Sequence, residues 1–482
     1  MNFFSTRDRN IIRTPSEAIV EGIAPDSGLY LPSSFPAFPM DQLMTMTGNE
    51  ISSTVLSLLL SDFSREELND YIEKAYALFD NGTIAPLCQV GEDHIMELWH
   101  GPTCAFKDVA LSVLPYLLTA SAKKCGISDE IVILTATSGD TGSAALSGFS
   151  DVDGTAIVVF YPEGGVSPMQ KRQMVTNSGN NTAVCAIRGN FDDAQSAVKR
   201  IFTGTALPEG KRFSSANSIN IGRLAPQIAY YFTAYRDLLQ KGAIKFGEAV
   251  NFIVPTGNFG DILAGYFAKR MGLFVGKLVS ASNENRVLAD FFESGVYDKR
   301  REFHLTSSPS MDILISSNLE RLLSLTLGCE RTAECMKALL ESGMYALSGE
   351  ELARIRSDFD GAWVSEEETG DTIRTVFETF GYLIDPHTAV AYAAKNKVKL
   401  TGQTVILSTA SPFKFSKQVL RALGHPSSGD EFSDLKQLSD MTKTPIPTPL
   451  SALITATVHH KDVVDINDME AYVLRKAEEG LV

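Results

Sequence analysis

The stretch that decides the fold is residues 131–142, IVILTATSGDTG, in which a continuous apolar run leads into a turn that holds two glycines. Such a run is typical of a strand that is buried on both faces, and the small residues after the turn favour a helix. The pattern recurs at residues 250–261, VNFIVPTGNFGD, before an apolar helical segment over residues 262–271. Further strands are predicted at residues 156–161, 183–187, 277–281 and 404–407. Short apolar strands that alternate with helices predict an α/β protein with parallel sheets covered on both faces.

The regions on either side of these strands have a different pattern. Residues 1–86 are predicted to form a mainly helical segment, because apolar residues have helical spacing over residues 55–60 and 68–79. Amphipathic helix is predicted over residues 319–380. The last part of the chain is predicted to hold an extended linker, a strand and a helix, at residues 442–449, 453–458 and 467–478.

The composition of the 482 residues is that of a globular protein with a formal net charge of −15 at pH 7. This acidity argues against binding to nucleic acid. The six cysteines show no metal-binding spacing with histidine, so we expect free thiols and no metal site. No segment approaches the roughly 20 apolar residues of a membrane span, and none resembles a signal peptide. These features predict a cytoplasmic protein without a membrane partner.

Lys107 is the residue that first suggests chemistry. It lies in residues 98–108, LWHGPTCAFKD, among apolar and small residues where a helix should begin. Burial disfavours the charged form of lysine, and a neutral amine can attack a carbonyl carbon. Many lysines instead pack beside a phenylalanine with the ammonium in water, so this context alone leaves both interpretations open. Pro115 is expected to kink or divide the helix that follows.

Three polar segments could bind an anion. The turn at residues 257–261 lies between a strand and a helix N-terminus, which suits a phosphate but also describes an ordinary glycine turn. Residues 137–142 carry three hydroxyls and two glycines, which could bind a carboxylate ligand or could simply cap the helix that follows. Residues 217–223 end in Arg223, whose guanidinium can bind a phosphate or carboxylate in bidentate fashion, although such a segment is more often a capped helix. Two such turns in one α/β chain favour the functional interpretation.

Taken together, these segments resemble the threonine synthase family of pyridoxal-phosphate-dependent enzymes. The matching segments follow the order of the family, at residues 99–108, 135–142, 217–223, 257–261 and 385–392. Residues 28–32, GLYLP, are similar to the longer bacterial and fungal branch. The resemblance implies a type II fold, in which two open parallel-sheet α/β domains hold pyridoxal 5′-phosphate between them. It implies the following division: a helical N-terminal segment (1–86), a large cofactor-binding domain (87–127 and 216–425), a small α/β domain (128–215) and a C-terminal extension (426–482).

The resemblance also implies a role for individual residues. Lys107 would hold the cofactor in a Schiff base and transfer protons, Asp140 would lie near the 3′ oxygen of the ring, and Thr409 would face the pyridine nitrogen. The cofactor phosphate would be bound by Gly257, Asn258, Phe259, Gly260 and Asp261. The substrate's carboxylate and phosphate would be bound by Ser138, Thr141, Asn217, Ser218 and Arg223. The chain departs from the family pattern at Cys104, Ser411 and Phe413, where an aliphatic residue, a histidine and a small residue are usual.

The implied reaction converts O-phospho-L-homoserine and water to L-threonine and phosphate, through Schiff-base γ-elimination and addition of water at Cβ. The alternative is a threonine-synthase-like phospholyase that yields 2-oxobutyrate, ammonia and phosphate. A serine or threonine dehydratase would need no phosphate-binding arginine. The presence of both Lys107 and Arg223 argues against a non-catalytic relative that only binds a phosphorylated metabolite. The enzyme is expected to be a monomer or a homodimer.

Overall fold

The computed structural model describes residues 1–479, apart from the side chains of residues 81, 203 and 479. The strands are β1 (Phe3–Ser5), β2 (Ile12–Arg13), β3 (Tyr30–Pro32), β4 (Leu87–Val90), β5 (Asp93–Glu97), β6 (Glu130–Ala136), β7 (Thr155–Pro162), β8 (Thr182–Arg188), β9 (Lys211–Ser214), β10 (Val250–Pro255), β11 (Val275–Ser282), β12 (Val296–Asp298), β13 (Met344–Ala346), β14 (Phe359–Trp363), β15 (Thr404–Ser408) and β16 (Asp462–Asp465). The α-helices are α1 (Pro15–Glu21), α2 (Gly48–Leu59), α3 (Arg65–Tyr76), α4 (Lys107–Leu111), α5 (Leu114–Lys124), α6 (Asp140–Phe149), α7 (Pro168–Val175), α8 (Phe191–Gly204), α9 (Ile221–Leu224), α10 (Ile228–Gln240), α11 (Gly260–Arg270), α12 (Val287–Ser294), α13 (Leu319–Leu327), α14 (Cys329–Glu341), α15 (Gly349–Arg356), α16 (Glu366–Phe380), α17 (Pro386–Ala394), α18 (Ser416–Ala422), α19 (Glu431–Thr442), α20 (Thr448–Ala452) and α21 (Met469–Glu479).

Two sheets dominate the structure. The larger has the strand order β14-β11-β10-β15-β5-β4 and is parallel except for the pair of β4 with β5. The smaller has the order β16-β8-β7-β6-β9 and is parallel throughout. Helices connect the strands, which confirms the predicted α/β class with two parallel-sheet units. The limits given above for the domains stay a prediction.

Proline and capping residues set several helix boundaries as the sequence predicts. Helix α4 ends at Leu111 and α5 begins at Leu114, with Pro115 in its first turn. Proline is tolerated there because the first amides of a helix have no intrahelical acceptor, so the predicted division of this helix is confirmed. Helix α7 likewise begins after Ser167, which forms a capping box with Gln170.

The N-terminal and central helical regions contain strands that the sequence pattern missed. Strands β1, β2 and β3 form an antiparallel three-stranded sheet beside α1. The stretch predicted as helix over residues 319–380 contains α13 to α16, but β13 and β14 interrupt it. Strand β14 forms the edge of the large sheet, where pairing with β11 fixes an extended backbone.

The strand predicted at residues 453–458 is wrong. No strand forms there, and the guanidinium of Arg172 donates hydrogen bonds to the carbonyls of Leu453 and Ala456, at 2.9 and 2.6 Å. The strand of this region is β16, which pairs with β8 at the edge of the small sheet. The predicted terminal helix is confirmed as α21. Residues 480–482 of the predicted extension lie outside the described residues.

Three features of residues 1–479 bear on the sequence-based expectations. No helix there is long and apolar enough to cross a membrane. No group of three His, Cys, Asp or Glu residues in that range is arranged to hold a metal ion. The six cysteines are free thiols, three of them buried.

Candidate active site

The candidate site lies where strands of the two sheets end. Lys107 and Asp140 each open a helix, α4 and α6, and the 257–260 turn leads from β10 into α11. Thr409 follows the last residue of β15. The carboxyl ends of parallel strands lie at one edge of a sheet, where open α/β proteins bind their ligands.

Lys107 is nearly buried, with 12% of its side chain exposed. Its Nζ donates a hydrogen bond to Ser310 Oγ at 3.3 Å and lies 3.7 Å from Asp140 Oδ2. Burial lowers the pKa of Lys107, and the nearby cations Lys414 and Arg223 lower it further, while Asp140 acts in the opposite direction. The predicted nucleophile is therefore an amine whose proton is held less tightly than in water.

Asp140 is held in place by three neighbours. Its Oδ1 lies 2.7 Å from Lys414 Nζ and accepts a hydrogen bond from Gln170 Nε2 at 3.0 Å, while Oδ2 accepts one from Ser310 Oγ at 3.2 Å. Burial would raise the pKa of Asp140, but the ammonium groups of Lys414 and Lys107 outweigh burial and lower it below its ordinary value. Asp140 is thus a buried carboxylate that remains ionised.

Lys414 is a site residue that our sequence-based prediction did not include. Its side chain is fully buried, and its Nζ also donates to the carbonyl of Thr103 at 2.9 Å. The sequence carried a signal for it, because Pro412, Phe413 and Phe415 give it the apolar context that drew attention to Lys107. Lys414 and Asp140 form a buried ion pair that faces Lys107.

The turn at residues 257–260 has the features of a phosphate cradle. Phe259 has a left-handed backbone with φ of 64° and precedes α11 without a side-chain cap. Within the described residues, no acceptor takes the N–H groups of residues 257–260. A Cβ built on Gly257 would lie 2.7 Å from the carbonyl oxygen of Ser310, so only glycine fits there. Free amides at the positive end of a helix fit the phosphate of the predicted cofactor.

The carboxyl group of Asp261 is bound by helix α10. Its Oδ1 accepts hydrogen bonds from the hydroxyls of Tyr230 and Tyr231 on α10, the latter at 3.0 Å, and Oδ2 has no partner in the described residues. Burial raises the pKa of this carboxyl to about 6, although the tyrosine hydroxyls oppose the shift. A carboxylate repels a phosphate, so of Asp261 only the main-chain N–H suits that ligand. Its side chain instead fixes α11 to α10.

Arg223 is a buried cation that has no counter-ion among residues 1–479. Its side chain is 4% exposed, Nη1 donates to the carbonyl of Ala216 at 2.9 Å, and Nε has no partner in the described residues. No carboxylate in residues 1–479 forms a salt bridge with it. Burial alone lowers the pKa of Arg223 to about 10. A guanidinium in this state is a receptor for an anion.

The remaining substrate-binding candidates lie in the two chain segments that carry Asp140 and Arg223. Ser138 and Asn217 are exposed, and Thr141 and Ser218 are half-buried. Asn318 Nδ2 donates to the carbonyls of Ser218 and Asn258, at 3.2 and 3.0 Å, and so joins the substrate segment to the cofactor turn. The structure therefore brings the predicted segments together.

Thr409 is placed beside Lys107 by the backbone. Its carbonyl accepts the N–H of Phe106 at 2.8 Å, and its hydroxyl makes no hydrogen bond within the described residues. Ser411, the departure from the family pattern, uses its hydroxyl to accept the N–H of Phe413 at 3.3 Å. Its main-chain N–H binds the carbonyl of Cys104 at 3.1 Å. Ser411 thus stabilises a local turn, and the hydroxyl of Thr409 has no partner in the described residues that would prevent it from binding a ligand.

Ser310, Asp385 and His387 are further residues of the site, and no role was predicted for them. Asp385 Oδ2 lies 2.6 Å from His387 Nδ1, and His387 Nε2 accepts the N–H of Ser310 at 3.2 Å. Residues 385–392 were part of the recognised pattern, but nothing local indicated the partner of His387, which is 77 positions away. Ser310 lies in a short turn whose sequence carries no motif.

Three family models and several known proteins match this chain. Family models match at residues 2–76 (threonine synthase N terminus), 94–410 (pyridoxal-phosphate dependent enzyme) and 388–471 (threonine synthase, C-terminal). Threonine synthase of Pseudomonas aeruginosa is 39% identical over 431 residues, covering 88% of this chain and 90% of that protein. Human threonine synthase-like 1 is 40% identical over 431 residues, covering 85% of this chain and 58% of that protein. The crystal structure of pyridoxal-phosphate-bound threonine synthase from Brucella melitensis superposes with a TM-score of 0.90 at 36% identity, covering 99% of each chain.

Proposed function

Because the chain belongs to the threonine synthase family of pyridoxal-phosphate-dependent enzymes, we propose that it converts O-phospho-L-homoserine and water to L-threonine and phosphate. The protein is a lyase whose cofactor is pyridoxal phosphate. The observation that carries the substrate assignment is Arg223, a buried guanidinium near Lys107 that has no counter-ion in the described part of the chain. A phosphorylated amino acid supplies the anion that this guanidinium lacks.

The residues that would hold the cofactor are chemically complementary to its phosphate, its ring nitrogen and its aldehyde. The free amides of residues 257–260 suit its phosphate, the hydroxyl of Thr409 suits its ring nitrogen, and Lys107 suits its aldehyde. Asp140 would lie near the ring oxygen, held by Lys414 and Gln170. When bound, the cofactor supplies an electron sink for the pair of electrons left on the substrate when a proton leaves Cα.

Proton transfer is the task of Lys107 in this proposal. An amine with a lowered pKa can accept the proton from Cα of the substrate and return a proton later in the reaction. Arg223 would bind the phosphate of the substrate and keep it after the bond from Cγ to oxygen breaks. The free hydroxyls of Ser138, Thr141 and Ser218 would bind the carboxylate. The water that adds to Cβ gives the product its hydroxyl.

The phospholyase alternative shares every residue named above. It is not favoured, because the Pseudomonas relative and the Brucella structure, which match this chain over most of their length, are threonine synthases. The two outcomes differ only in whether water reaches Cβ before the product leaves.

We also propose a cytosolic location and a monomeric or homodimeric state. The six free thiols support a reducing compartment. Size-exclusion chromatography with light scattering measures the assembly directly.

The experiment that tests the function is a product assay. The purified protein is incubated with pyridoxal phosphate and O-phospho-L-homoserine, and threonine, 2-oxobutyrate and phosphate are quantified. We expect threonine and phosphate in equal amounts. Dominant 2-oxobutyrate would establish the phospholyase instead, and absence of any product would favour a non-catalytic relative.

A variant of Arg223 tests the observation that carries the proposal. Arg223→Met should raise KM for O-phospho-L-homoserine about 100-fold, because a charge-assisted contact to phosphate is lost. Arg300→Met serves as the matched control, since Arg300 is an exposed arginine paired with Asp298. An unchanged KM in the Arg223 variant would remove this residue from the substrate site.

A further inference from the structure

We propose that Ser310 is a further catalytic group, which holds the free amine of Lys107, and that Asp385 and His387 are positioning residues for Ser310. The inference rests on the proposed function, because it assigns Lys107 the same reactive amine. It adds a hydroxyl in direct contact with the reacting atom, together with the buried pair behind that hydroxyl.

Ser310 Oγ lies between the amine and the carboxylate of the site. It is 3.3 Å from Lys107 Nζ and 3.2 Å from Asp140 Oδ2. A hydroxyl has one hydrogen, and an ionised carboxylate can only accept, so that hydrogen is donated to Asp140. The lone pairs of Ser310 must then accept a hydrogen from Lys107. A neutral amine that donates one hydrogen in this contact has two positions left for its other hydrogen and its lone pair, so the contact restricts the direction of the lone pair.

The backbone of Ser310 is fixed by His387. The main-chain N–H of Ser310 can only donate, so His387 Nε2 is the acceptor of their 3.2 Å bond and carries no hydrogen. The hydrogen of the ring is then on Nδ1 and is donated to Asp385 Oδ2 at 2.6 Å. Asp385 is completely buried and also accepts the main-chain N–H groups of His387 and Thr388. The pair therefore sets the histidine tautomer that Ser310 needs.

The turn around Ser310 is fixed on its other side as well. Asn283 Nδ2 donates to Ser308 Oγ at 3.0 Å and to Asp312 Oδ1 at 2.8 Å. The carbonyl of Ser310 lies against Gly257, where even a methyl group would collide with it. Ser310 can therefore hold the amine without moving toward or away from the cofactor turn.

The step in which this contact matters is covalent capture of the cofactor. The nitrogen of Lys107 bonds to the aldehyde carbon, and the aldehyde oxygen leaves as water with the two hydrogens of the amine. An amine whose lone pair is restricted in direction reaches the geometry for attack on the aldehyde carbon more often, which raises the rate of capture. Loss of the Ser310 hydroxyl should therefore slow capture without weakening the binding of a cofactor analogue that has no aldehyde.

The test compares capture rates in full-length protein freed of cofactor. Pyridoxal phosphate is added, the change in absorbance is followed, and covalent attachment is verified by mass after borohydride treatment. Affinity for pyridoxamine phosphate, which cannot be captured, is measured beside it. The variants are Ser310→Ala, Ser310→Thr and Ser307→Ala; Ser307 lies in the same loop, where its hydroxyl binds Glu366.

We expect Ser310→Ala to slow capture about tenfold, the size of one hydrogen bond to a charged or reacting group. Ser310→Thr, which keeps a hydroxyl, and Ser307→Ala should capture the cofactor at near the wild-type rate, with unchanged affinity for pyridoxamine phosphate in all three. A wild-type rate in Ser310→Ala would overturn the proposal. Equal loss of rate and of pyridoxamine phosphate affinity would overturn it too, because Ser310 would then only build the pocket. Absence of capture in the wild type would instead refute the proposed function.

His387→Asn tests the positioning role. Asparagine can still donate to Asp385 but is too short to reach the N–H of Ser310, so capture should slow as in Ser310→Ala. The double variant should be no slower than Ser310→Ala alone, because His387 acts through Ser310. Effects that multiply in the double variant would contradict this coupling.

Discussion

Replacing Arg223 by methionine should make the protein more stable in the absence of phosphate and less responsive to its presence. The guanidinium is buried beside Lys107 and has no carboxylate partner among the described residues. Its one main-chain contact is the bond from Nη1 to the carbonyl of Ala216. Methionine is unbranched and flexible enough to fill the same space without a charge.

The expected magnitude follows from the pKa of Arg223, which burial lowers from 12.5 to about 10. A shift of this size corresponds to about 3 kcal/mol of unfavourable burial of the charged form. Loss of the bond to Ala216 removes about 1 kcal/mol, which leaves a net gain of about 2 kcal/mol. The unfolding entropy of a chain this long is about 1 kcal/mol per kelvin, so the melting temperature should rise by about 2 °C.

The assay is thermal unfolding of the cofactor-loaded protein with and without inorganic phosphate. In the proposed site the cofactor would fill the 257–260 turn, so added phosphate should report on Arg223. At about 100 times its Kd, phosphate should stabilise the wild type by about 2.7 kcal/mol and leave Arg223→Met unchanged, which reverses their order. A variant that is several degrees less stable without phosphate, or that gains as much from phosphate as the wild type, would show that Arg223 is not an uncompensated buried charge that binds phosphate. Arg300→Met should behave like the wild type.

Three further predictions concern the other buried charges. Lys107→Ala should abolish covalent capture of the cofactor and turnover, while pyridoxamine phosphate still binds. In the wild type, peptide mapping after borohydride treatment should find the cofactor attached to Lys107 and not to Lys414. Lys414→Met should destabilise the protein by about 3–5 kcal/mol in thermal unfolding, because it leaves Asp140 buried without its partner, and adding Asp140→Asn should restore part of the loss. Burial raises the pKa of Asp261 to about 6, so the folded state binds this proton more tightly than the unfolded state does. The free energy of unfolding should therefore fall by about 3 kcal/mol as pH rises from about 4 to about 6. Unfolding measured as a function of pH should show a smaller change for Asp261→Asn.

The sequence predicted the parts of the fold that local patterns determine. The two strand–turn–helix units around Asp140 and Gly257 are recognisable because apolar runs, glycines and helix formers occur in one continuous stretch. The break after Leu111 follows from the geometry of Pro115 alone. Strand β16 was misplaced because a weak edge strand is chosen by its partner β8, some 277 positions away, and not by its own residues.

Site residues, too, could be predicted only where a local sequence pattern identifies them. Lys107 and Arg223 were found because each belongs to a segment with a recognisable composition. Ser310 lies 203 positions from Lys107, and its role exists only through tertiary contacts. Asp261 was predicted to bind the phosphate because it lies at a helix N-terminus, and no local pattern indicated that its side chain accepts hydrogen bonds from Tyr230 and Tyr231.

The most direct test of the account is the reaction carried out in water enriched in ¹⁸O. If the enzyme breaks the bond from Cγ to oxygen and adds water at Cβ, the product is threonine with one ¹⁸O in its hydroxyl, and the released phosphate is unlabelled. Labelled phosphate together with homoserine would mean that the phosphorus–oxygen bond breaks instead. Either that result or 2-oxobutyrate as the main product would contradict the proposed function.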